Sequence, residues 1–522
     1  MQIVNSSEMK NFEKKAIEAG IPEYVLMENA GQAVADIICG MIGPCQIAIL
    51  VGPGNNGGDG LVIARLLNEK KYNIKVIFIC GRKEDDLNTS LIRQTKIEQF
   101  NFSENEDRAK EVLLTSDIVI DSILGTGQSR PIEGTIAEIL DLVSDVRKTK
   151  DFQVIAIDLP TGINDNGNVD KHTVAADITV TMGLPKYGLL AADNSAYIGK
   201  LIVSDIFYTN TDISDHYSSP SRDNTFKKNS TEYLTNELIK GILPERPLNA
   251  HKGTFGKLLS ITGSDQYIGA AVLSGGSAIR SGCGLVTQAA SKQLQTVVAA
   301  VYPEITYLIT DKGPECIREA VSGHQAILIG CGLGRSQFAE DTVTIAIDAV
   351  RESGISCLID ADGLNILSTR KDWWKGFKKP AVLTPHTGEM SRLTGADTET
   401  INRNRIDTAI KAADKWGHIV VLKGAHTVIA SPDGRVAVSP YSNPCLATAG
   451  SGDVLAGIIA SLMAQGLESF EAACAGVFIH GETAEQLRSE YGDTGIIASD
   501  LIKQIPLAIK TMKNGEKNVI SH

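Results

Sequence analysis

Aromatic residues make up only 5% of the 522-residue sequence, whereas glycine occurs 49 times. That balance favours tight glycine turns between strands and helices over aromatic stacking platforms. Positive charge is also short, since 50 Lys and Arg against 62 Asp and Glu leave a net charge of −12. An acidic chain disfavours nucleic acid and anionic membranes as main partners; an anionic small molecule would need backbone amides or a cation to hold it. No apolar run reaches the roughly 18 residues of a membrane span. The opening Met1-Gln2-Ile3-Val4-Asn5 lacks the basic-then-apolar pattern of a secretory signal. The nine cysteines are never spaced C-x-x-C, which reads as buried, reduced thiols and not as a disulfide frame or zinc site. These absences leave a soluble cytoplasmic enzyme or binding protein as the expectation.

At roughly 150 residues per domain, the length suggests two or three domains. Asn5 followed by Glu8 resembles a helix-capping pair, and helical periodicity runs from there to Cys39. Short apolar runs at 46–51, 74–79, 117–120, 154–157 and 178–181 read as buried strands of a mostly parallel sheet. Each is followed by a turn rich in Gly, Asp or Pro. Residues 208–230 are polar, rich in Ser, Asp, Asn and Lys, and read as a linker. The alternation then resumes, with strands at 257–262, 326–329, 357–359, 381–384, 419–422 and 428–430, and helices at 269–282 and 453–465. The halves do not look like repeats, so two unrelated α/β domains are expected.

In the first half, Gly52-Pro53-Gly54-Asn55-Asn56-Gly57-Gly58-Asp59-Gly60 follows a strand and opens a helix. Glycines let the backbone approach a ligand, and free amides at a helix start favour a phosphate. The paired asparagines break the register of the G-x-G-x-x-G dinucleotide fingerprint. Two further strand ends carry acids: Asp121, ahead of Gly125-Thr126-Gly127, and Asp158, ahead of Pro160-Thr161-Gly162. In parallel sheets such ends converge on the ligand crevice. Oxygens of Asn56, Asp121 and Thr161 suit a hard monovalent or divalent cation. Asp158, beside apolar residues, is expected to have a raised pKa and to transfer protons. A lone strand-end Asp more often caps a helix, and only the convergence of three turns points to a site.

These motifs, with Leu26-Met27-Glu28-Asn29-Ala30-Gly31 upstream, resemble the NAD(P)HX epimerase domain over residues 1–210. The resemblance implies a Rossmann-like α/β/α sandwich that epimerises the 6-hydroxyl of hydrated NADH or NADPH and binds potassium. By motif, Asn56, Asp121 and Thr161 would be potassium ligands. Asn55, Asn56, Gly57, Gly58 and Asp59 would contact the dinucleotide, as would Gly125, Thr126, Gly127, Gln128, Ser129, Arg130 and Pro131. Asp158 would bind substrate as the acid/base residue. Thr161 stands where the family often has Ser, and it keeps the hydroxyl.

In the second half, Thr448-Ala449-Gly450-Ser451-Gly452-Asp453 leads into a helical run. Small residues leave amides free, and the helix dipole adds roughly half a positive charge, suited to a transferring phosphoryl group. Asp453 is placed to deprotonate a hydroxyl, with simple capping as the plainer reading. Lys423-Gly424-Ala425-His426-Thr427 follows an apolar strand and fits a nucleotide, although a lone lysine is more often a solvated charge. Three more turns follow strands: Gly330-Cys331-Gly332-Leu333-Gly334, Asp360-Ala361-Asp362-Gly363-Leu364-Asn365, and Thr384-Pro385-His386-Thr387-Gly388-Glu389.

The Gly-x-Gly-Asp helix start resembles the ribokinase superfamily. Adding His251-Lys252-Gly253, Gly269-Ala270-Ala271, DADGLN, TPHTGE, KGAHT and NPCLATAGSGD, residues 232–510 look like the ADP-dependent (S)-NAD(P)H-hydrate dehydratase. That resemblance implies a ribokinase-like α/β/α domain with Asp453 as catalytic base and magnesium accompanying ADP. It implies substrate contacts from Ala270, Gly334, His386 and Asp453. Nucleotide contacts would come from Lys423, Gly424, Ala425, His426 and Thr427, and from Gly450, Ser451 and Gly452. The sequence departs from the pattern where Cys331 and Thr387 replace usual prolines, and where Cys445 and Ala449 replace usual glycines. The last two are expected to tighten the loop around the nucleotide.

Together the halves resemble the bifunctional NAD(P)H-hydrate repair family, with domains at 1–210 and 232–522 and a linker at 211–231. The implied partners are NADHX, NADPHX and ADP, with no nucleic acid and no membrane, and a homo-oligomer is expected. Three other readings compete. TPHTGE and DADGLN argue against a vitamin-precursor or sugar kinase; Asp121 and Asp158 argue against a first half that only binds. A hydride-transferring dehydrogenase would need the dinucleotide fingerprint, which neither half carries.

Overall fold

The computed structural model describes residues 1–82, 86–128, 130–207 and 226–514. Contacts divide the chain into two units, Met1–Asp223 and Asn224–Lys517. Most of the polar stretch read as a linker lies outside the described residues. Its described end belongs to the second unit, where Phe226 packs on the core and Thr231 lies in a strand.

In the first unit, β1 (Gln46–Val51), β2 (Asn73–Phe78), β3 (Glu98–Asn101), β4 (Ile118–Ser122), β5 (Gln153–Ile157), β6 (Ile178–Met182) and β7 (Lys200–Ser204) form one sheet. Its order is β3-β2-β1-β4-β5-β6-β7, and every pair is parallel. Side chains alternate across the sheet. Ile47, Ile49 and Val51 join a core with the helices Glu23–Met41 and Asn55–Glu69, while Ala48 and Leu50 join another with Glu106–Thr115 and Thr135–Arg147. Helices therefore cover both faces. The order reverses between β1 and β4, so the crevice opens at the carboxyl ends of the strands that carry the glycine loop and Asp121.

The expected capping box is present, with the Glu8 amide donating to Asn5 Oδ1 at 2.9 Å and the Asn5 amide to Glu8 Oε2 at 2.8 Å. The periodic stretch to Cys39 is not one helix, however. It is Ser6–Glu18 and Glu23–Met41, broken where Gly20 takes φ 102° and Pro22 precedes the second helix.

The second unit's strands are β8 (Thr231–Tyr233), β9 (Lys257–Ile261), β10 (Leu285–Ala290), β11 (Thr306–Ile309), β12 (Ala326–Ile329), β13 (Ser356–Ile359), β14 (Val382–Leu383), β15 (Ile419–Leu422), β16 (Val428–Ala430) and β17 (Val436–Val438). They lie in the order β11-β10-β9-β12-β13-β14-β15-β16-β17-β8. β16 runs antiparallel to both neighbours, and the remaining pairs are parallel. The helix Ser451–Ala464 is buried from Val454 to its end, as its nearly unbroken apolar sequence demands. Its backbone comes close to the helix Ile268–Arg280 at Gly457. A side-chain carbon there would lie 2.0 Å from Ser277 Oγ and 2.2 Å from the Ser274 carbonyl oxygen.

All nine cysteines are free thiols. Cys331, Cys357, Cys445 and Cys474 are buried as expected, but Cys39, Cys45, Cys80, Cys283 and Cys316 are only partly so. No helix among the described residues is long and apolar enough to cross a membrane.

The close helix crossing gives a stability test. Gly457→Ala is expected to destabilise the second unit by about 1–3 kcal/mol, because the added methyl meets backbone that can yield only by separating the helices. Thermal unfolding followed by calorimetry should show a lowered midpoint, and an unchanged midpoint would contradict the crossing.

Candidate active sites

The glycine loop of the first unit is set by close packing. A side-chain carbon at Gly52 would fall 1.9 Å from the Ile123 carbonyl oxygen, so the turns after β1 and β4 can touch only with glycine there. Arg82 Nη1 donates to the carbonyls of Gly52 and Gly54 at 2.6 and 2.8 Å, which clamps the loop as the helix begins at Asn55. Arg82 carried no recognisable motif, and its role emerges only in three dimensions.

A cavity of 390 Å³ opens above these strand ends. Of the expected ligand residues, Asn55, Asn56 and Asp59 line it, as do Gly125, Thr126, Gly127, Gln128 and Asp158. Gly57 and Gly58 do not. They are buried against the Gly52 carbonyl and the Met27 side chain, where they permit packing. Arg130 and Pro131 are exposed outside the lining, and Ser129 lies outside the described residues.

Asp121 and Thr161 are buried and bonded to each other. Thr161 Oγ1 donates to Asp121 Oδ1 at 2.7 Å, and the Thr161 amide donates to Oδ2 at 2.8 Å. Burial pushes the Asp121 carboxyl up, against the lowering effect of these donors. Asn56 is also buried, and neither Oδ1 nor Nδ2 of its carboxamide has a hydrogen-bond partner.

Asp158 takes φ 67° at the end of β5, an uncommon conformation for a residue with a side chain. Its surroundings are not the apolar ones expected. Lys186 Nζ lies 2.5 Å from Asp158 Oδ1, and also donates to the Met182 carbonyl at 2.7 Å and Thr181 Oγ1 at 3.1 Å. The other carboxylate oxygen, Oδ2, accepts from the Thr126 amide at 3.2 Å. Lys186 is wholly buried, held by backbone bonds from its neighbours to Val4. Sequence reading missed it, although its place four residues past an apolar strand was a signal.

Glu13, on the first helix, was also missed and lines the same cavity. Burial raises its carboxyl pKa, as it does that of Asp59, which lies well above the usual range with the charges of Asp158 and Glu13 adding to the shift. The carboxyls that burial raises in this cavity are thus Glu13 and Asp59, whereas the sequence expectation fell on Asp158.

In the second unit, Gly450 caps the helix Ser451–Ala464 in a left-handed conformation, φ 87°. Among the described residues, the first-turn amides of Gly452 and Asp453 have no acceptor. The amide of Ser451, expected to be free, instead donates to the Thr448 carbonyl at 3.3 Å. Asp453 follows at once, and its carboxyl is pushed up to about 7, by burial first and then by the charge of Asp360. A capping Asp would accept from the amides of its own helix, but the structure records no side-chain cap here.

Asp360, at the end of β13, is buried, and its Oδ1 accepts from Lys423 Nζ at 2.7 Å. Lys423 is thus not a solvated charge. Burial works to lower its pKa, but the charges of Asp360 and Glu389 outweigh that and raise it. Its ammonium lies 3.5 Å from where a side-chain carbon at Gly452 would stand, beside the anion cradle. The remaining KGAHT residues are more inward-looking than expected. The His426 ring is buried with Nδ1 3.1 Å from the Ser439 carbonyl, and Thr427 Oγ1 closes the turn onto Gly424. Gly424 and Ala425 remain at the surface. Buried Arg405, another residue without a sequence signal, supports the turn through the Leu422 carbonyl at 2.7 Å.

His386 caps its own helix, with Nδ1 accepting from the Gly388 amide at 2.9 Å and the Glu389 amide at 3.4 Å. Burial and then Lys423 lower its pKa, and Nε2 lies 3.4 Å from Glu389 Oε1. Ala270 packs on the Gly330–Gly334 turn, which also places Cys331 beside Asp360 and Asp453. Gly334 lines a neighbouring cavity of 420 Å³, with its amide donating to Asp362 Oδ2 at 2.9 Å.

Comparison with known proteins agrees with this geometry. Residues 23–188 match the family described as YjeF-related protein N-terminus, and residues 258–507 match NAD(P)H-hydrate dehydratase. The bifunctional NAD(P)H-hydrate repair enzyme Nnr of Thermofilum pendens is 34% identical over 538 residues, covering 100% of this chain and 98% of that protein. Its counterpart in Moorella thermoacetica is 34% identical over 543 residues, covering 100% and 99%. Among solved structures, the Bacillus subtilis ADP/ATP-dependent NAD(P)H-hydrate dehydratase, co-crystallised with ATP/Mg2+, is 32% identical with TM-score 0.50, covering 54% of this chain and 98% of that one. A ribokinase-like superfamily protein of Enterococcus faecalis is 25% identical with TM-score 0.50, covering 56% and 99%. Motifs, folds and full-length similarity agree, and the chain belongs to the family of bifunctional NAD(P)H-hydrate repair enzymes.

Proposed function

We propose that residues 1–210 interconvert the R and S hydrates of NADH and NADPH through Asp158, and that residues 232–522 return the S hydrate to NAD(P)H through Asp453. The second role rests on one observation above all: a carboxyl pushed up to about 7 stands at a helix start where the Gly452 and Asp453 amides are unused, beside the mostly buried Lys423.

In the first unit, Lys186 fixes Asp158 through Oδ1, leaving Oδ2 to exchange a proton with the 6-hydroxyl. Glu13 and Asp59 retain protons to higher pH than exposed carboxyls, and supply an acid elsewhere in the same cavity. The unbonded Asn56 carboxamide, the Asp121 carboxylate and the Thr161 hydroxyl are an all-oxygen set that fits potassium, and satisfying Asn56 would remove a buried orphan. Bound potassium would supply a fixed positive charge beneath the crevice.

In the second unit, Asp453 takes the proton of the substrate hydroxyl, whose oxygen bonds to the terminal phosphorus of ADP as the bond to AMP breaks. The amides of Gly452 and Asp453, with Lys423, face the charge on the moving phosphoryl group. Magnesium bound to the nucleotide phosphates would offset their charge. Phosphate then leaves, expelled by the ring nitrogen lone pair to give an iminium, and loss of the adjacent C5 proton to solvent restores the dihydronicotinamide. The chemistry serves ADP or ATP alike, and ADP is the nucleotide proposed. Assembly as a homo-oligomer also belongs to this proposal.

With both hydrate epimers and ADP, reduced-nicotinamide absorbance should recover completely, in a fast S phase and a slower R-derived phase. Asp453→Asn is expected to lower the S phase at least ~100-fold while epimerisation, followed by chromatography, continues. Undiminished recovery would remove the proposed base.

Asp453 accepts a proton only when ionised, so activity is present above its pKa and lost below it. The kcat/KM of the S phase should fall about tenfold per pH unit below about 7. An acid limb near the ordinary carboxylate range would contradict this assignment.

Replacing potassium with a large organic cation should slow only the R-derived phase, as should Asp158→Asn. Slowing of the S phase by potassium removal would place the cation's action elsewhere.

A further inference from the structure

We propose that Cys331, Asp360 and Asp453 form a site for a thiophilic divalent cation such as zinc, and that filling it stops the dehydratase while the first unit continues to work. The cysteine sulfur and one carboxylate oxygen from each aspartate all lie within 4.8 Å of one another. They come from three separately anchored elements: the turn after β12, the end of β13 and the first turn of the helix Ser451–Ala464. Tetrahedral zinc bonds of roughly 2.0–2.3 Å place ligand atoms about 3.3–3.8 Å apart, so adjustments of about an ångström would close the site.

Asp360 divides its oxygens in the required way. Oδ1 is taken by Lys423 at 2.7 Å, whereas Oδ2 faces the Cys331 thiol, with Sγ 3.6 Å away. Cys331 and Asp360 are almost wholly buried, whereas Asp453 is partly exposed and leaves a path for entry. Two carboxylates and a thiolate suit zinc or cadmium, while magnesium prefers an all-oxygen shell. Charge argues the same way. Asp360, Asp362 and Asp453 interact around a single ammonium, that of Lys423, and a dication offsets the surplus. As the sulfur–metal bond forms, the thiol proton passes to solvent; no oxidant or reductant takes part.

The inhibitory consequence rests on Asp453 being the base of the proposed function, whereas the site itself does not. Full-length protein, free of nucleotide, is titrated with cadmium, and thiolate-to-metal absorption is followed in the ultraviolet. One saturating equivalent is expected, and it should be missing in Cys331→Ala and in Cys331→Ser. Two variants guard against loss of folding in one of them.

Separately, protein incubated with zinc is assayed on the S hydrate with magnesium and ADP, with interconversion of the hydrates as an internal control. At least tenfold loss of S-hydrate recovery is expected, reversed by a chelator, with hydrate interconversion unchanged. The residual activity of either Cys331 variant should change less than twofold in zinc. Absence of the saturating band, or equal zinc sensitivity in the variants, overturns the site. A Cys331-dependent band without inhibition leaves the site standing and overturns Asp453 as the base, and with it the stop on catalysis.

Discussion

A carboxylate removed from water costs several kilocalories per mole unless a cation or hydrogen-bond donors meet it. Each unit gathers several carboxyls at the ends of its parallel strands and sets a lysine ammonium among them. In the first, Lys186 pairs with Asp158 while Glu13 and Asp59 share the cavity. In the second, Lys423 pairs with Asp360 while Glu389 and Asp453 remain nearby. Burial raises Glu13, Asp59, Glu389 and Asp453 despite the positive charges near them, so these carboxyls hold protons to higher pH. The two sites use their lysine differently in the proposed mechanism: Lys186 holds Asp158, the proton-exchanging residue itself, whereas Lys423 holds Asp360 and leaves its neighbour Asp453 as the base.

The folds make that arrangement affordable. Strand order reverses between β1 and β4 in one sheet and between β9 and β12 in the other, and turns diverge there. Helices beginning at Asn55 and Ser451 bring unpaired amides to the same ends of the sheets. In the proposed mechanism the first site would meet a sugar-phosphate dinucleotide with these amides and do its chemistry with Asp158. The second would turn the same kind of amides to a moving phosphoryl group, with its base on the helix start itself.

Much of this was legible because glycine turns and strand-end acids have a fixed meaning in parallel α/β sheets. Asp121 and Asp158 stand where short apolar runs end, Asp453 stands where an apolar helix begins, and β1 was read to the residue. What escaped had no periodic signature. β3 is Glu98-Gln99-Phe100-Asn101 and β8 is Thr231-Glu232-Tyr233, strands too short and polar to show alternation. Glu13 lies among charged residues of an amphipathic helix and reads as part of its solvated face. Arg82 and Arg405 act through backbone carbonyls far away in sequence, which no local pattern encodes. The apolar surroundings expected for Asp158 failed for a related reason, since Lys186 reaches it from beyond the following strand.

The departures around the anion cradle show which features the chemistry requires. Cys445 is buried, its amide donating to Asn443 Oδ1 at 2.8 Å and its sulfur 3.8 Å from the Gly492 carbonyl, so it fixes one end of the loop. Ala449 is exposed and contributes no such tightening. Ser451 Oγ donates to the Leu446 carbonyl at 2.7 Å and draws the loop together from its other end. Between these anchors, Gly450 must keep a positive φ, and a side-chain carbon there would lie 2.4 Å from Leu273. The cradle is therefore a backbone object, fixed by a few hydrogen bonds and one obligatory glycine. Thr387 is absorbed similarly: its hydroxyl donates to Asn402 Oδ1 at 3.0 Å without disturbing the capping histidine next to it. Substitutions that leave these anchors alone change the loop's edges, while the unused amides of Gly452 and Asp453 stay where the helix start puts them.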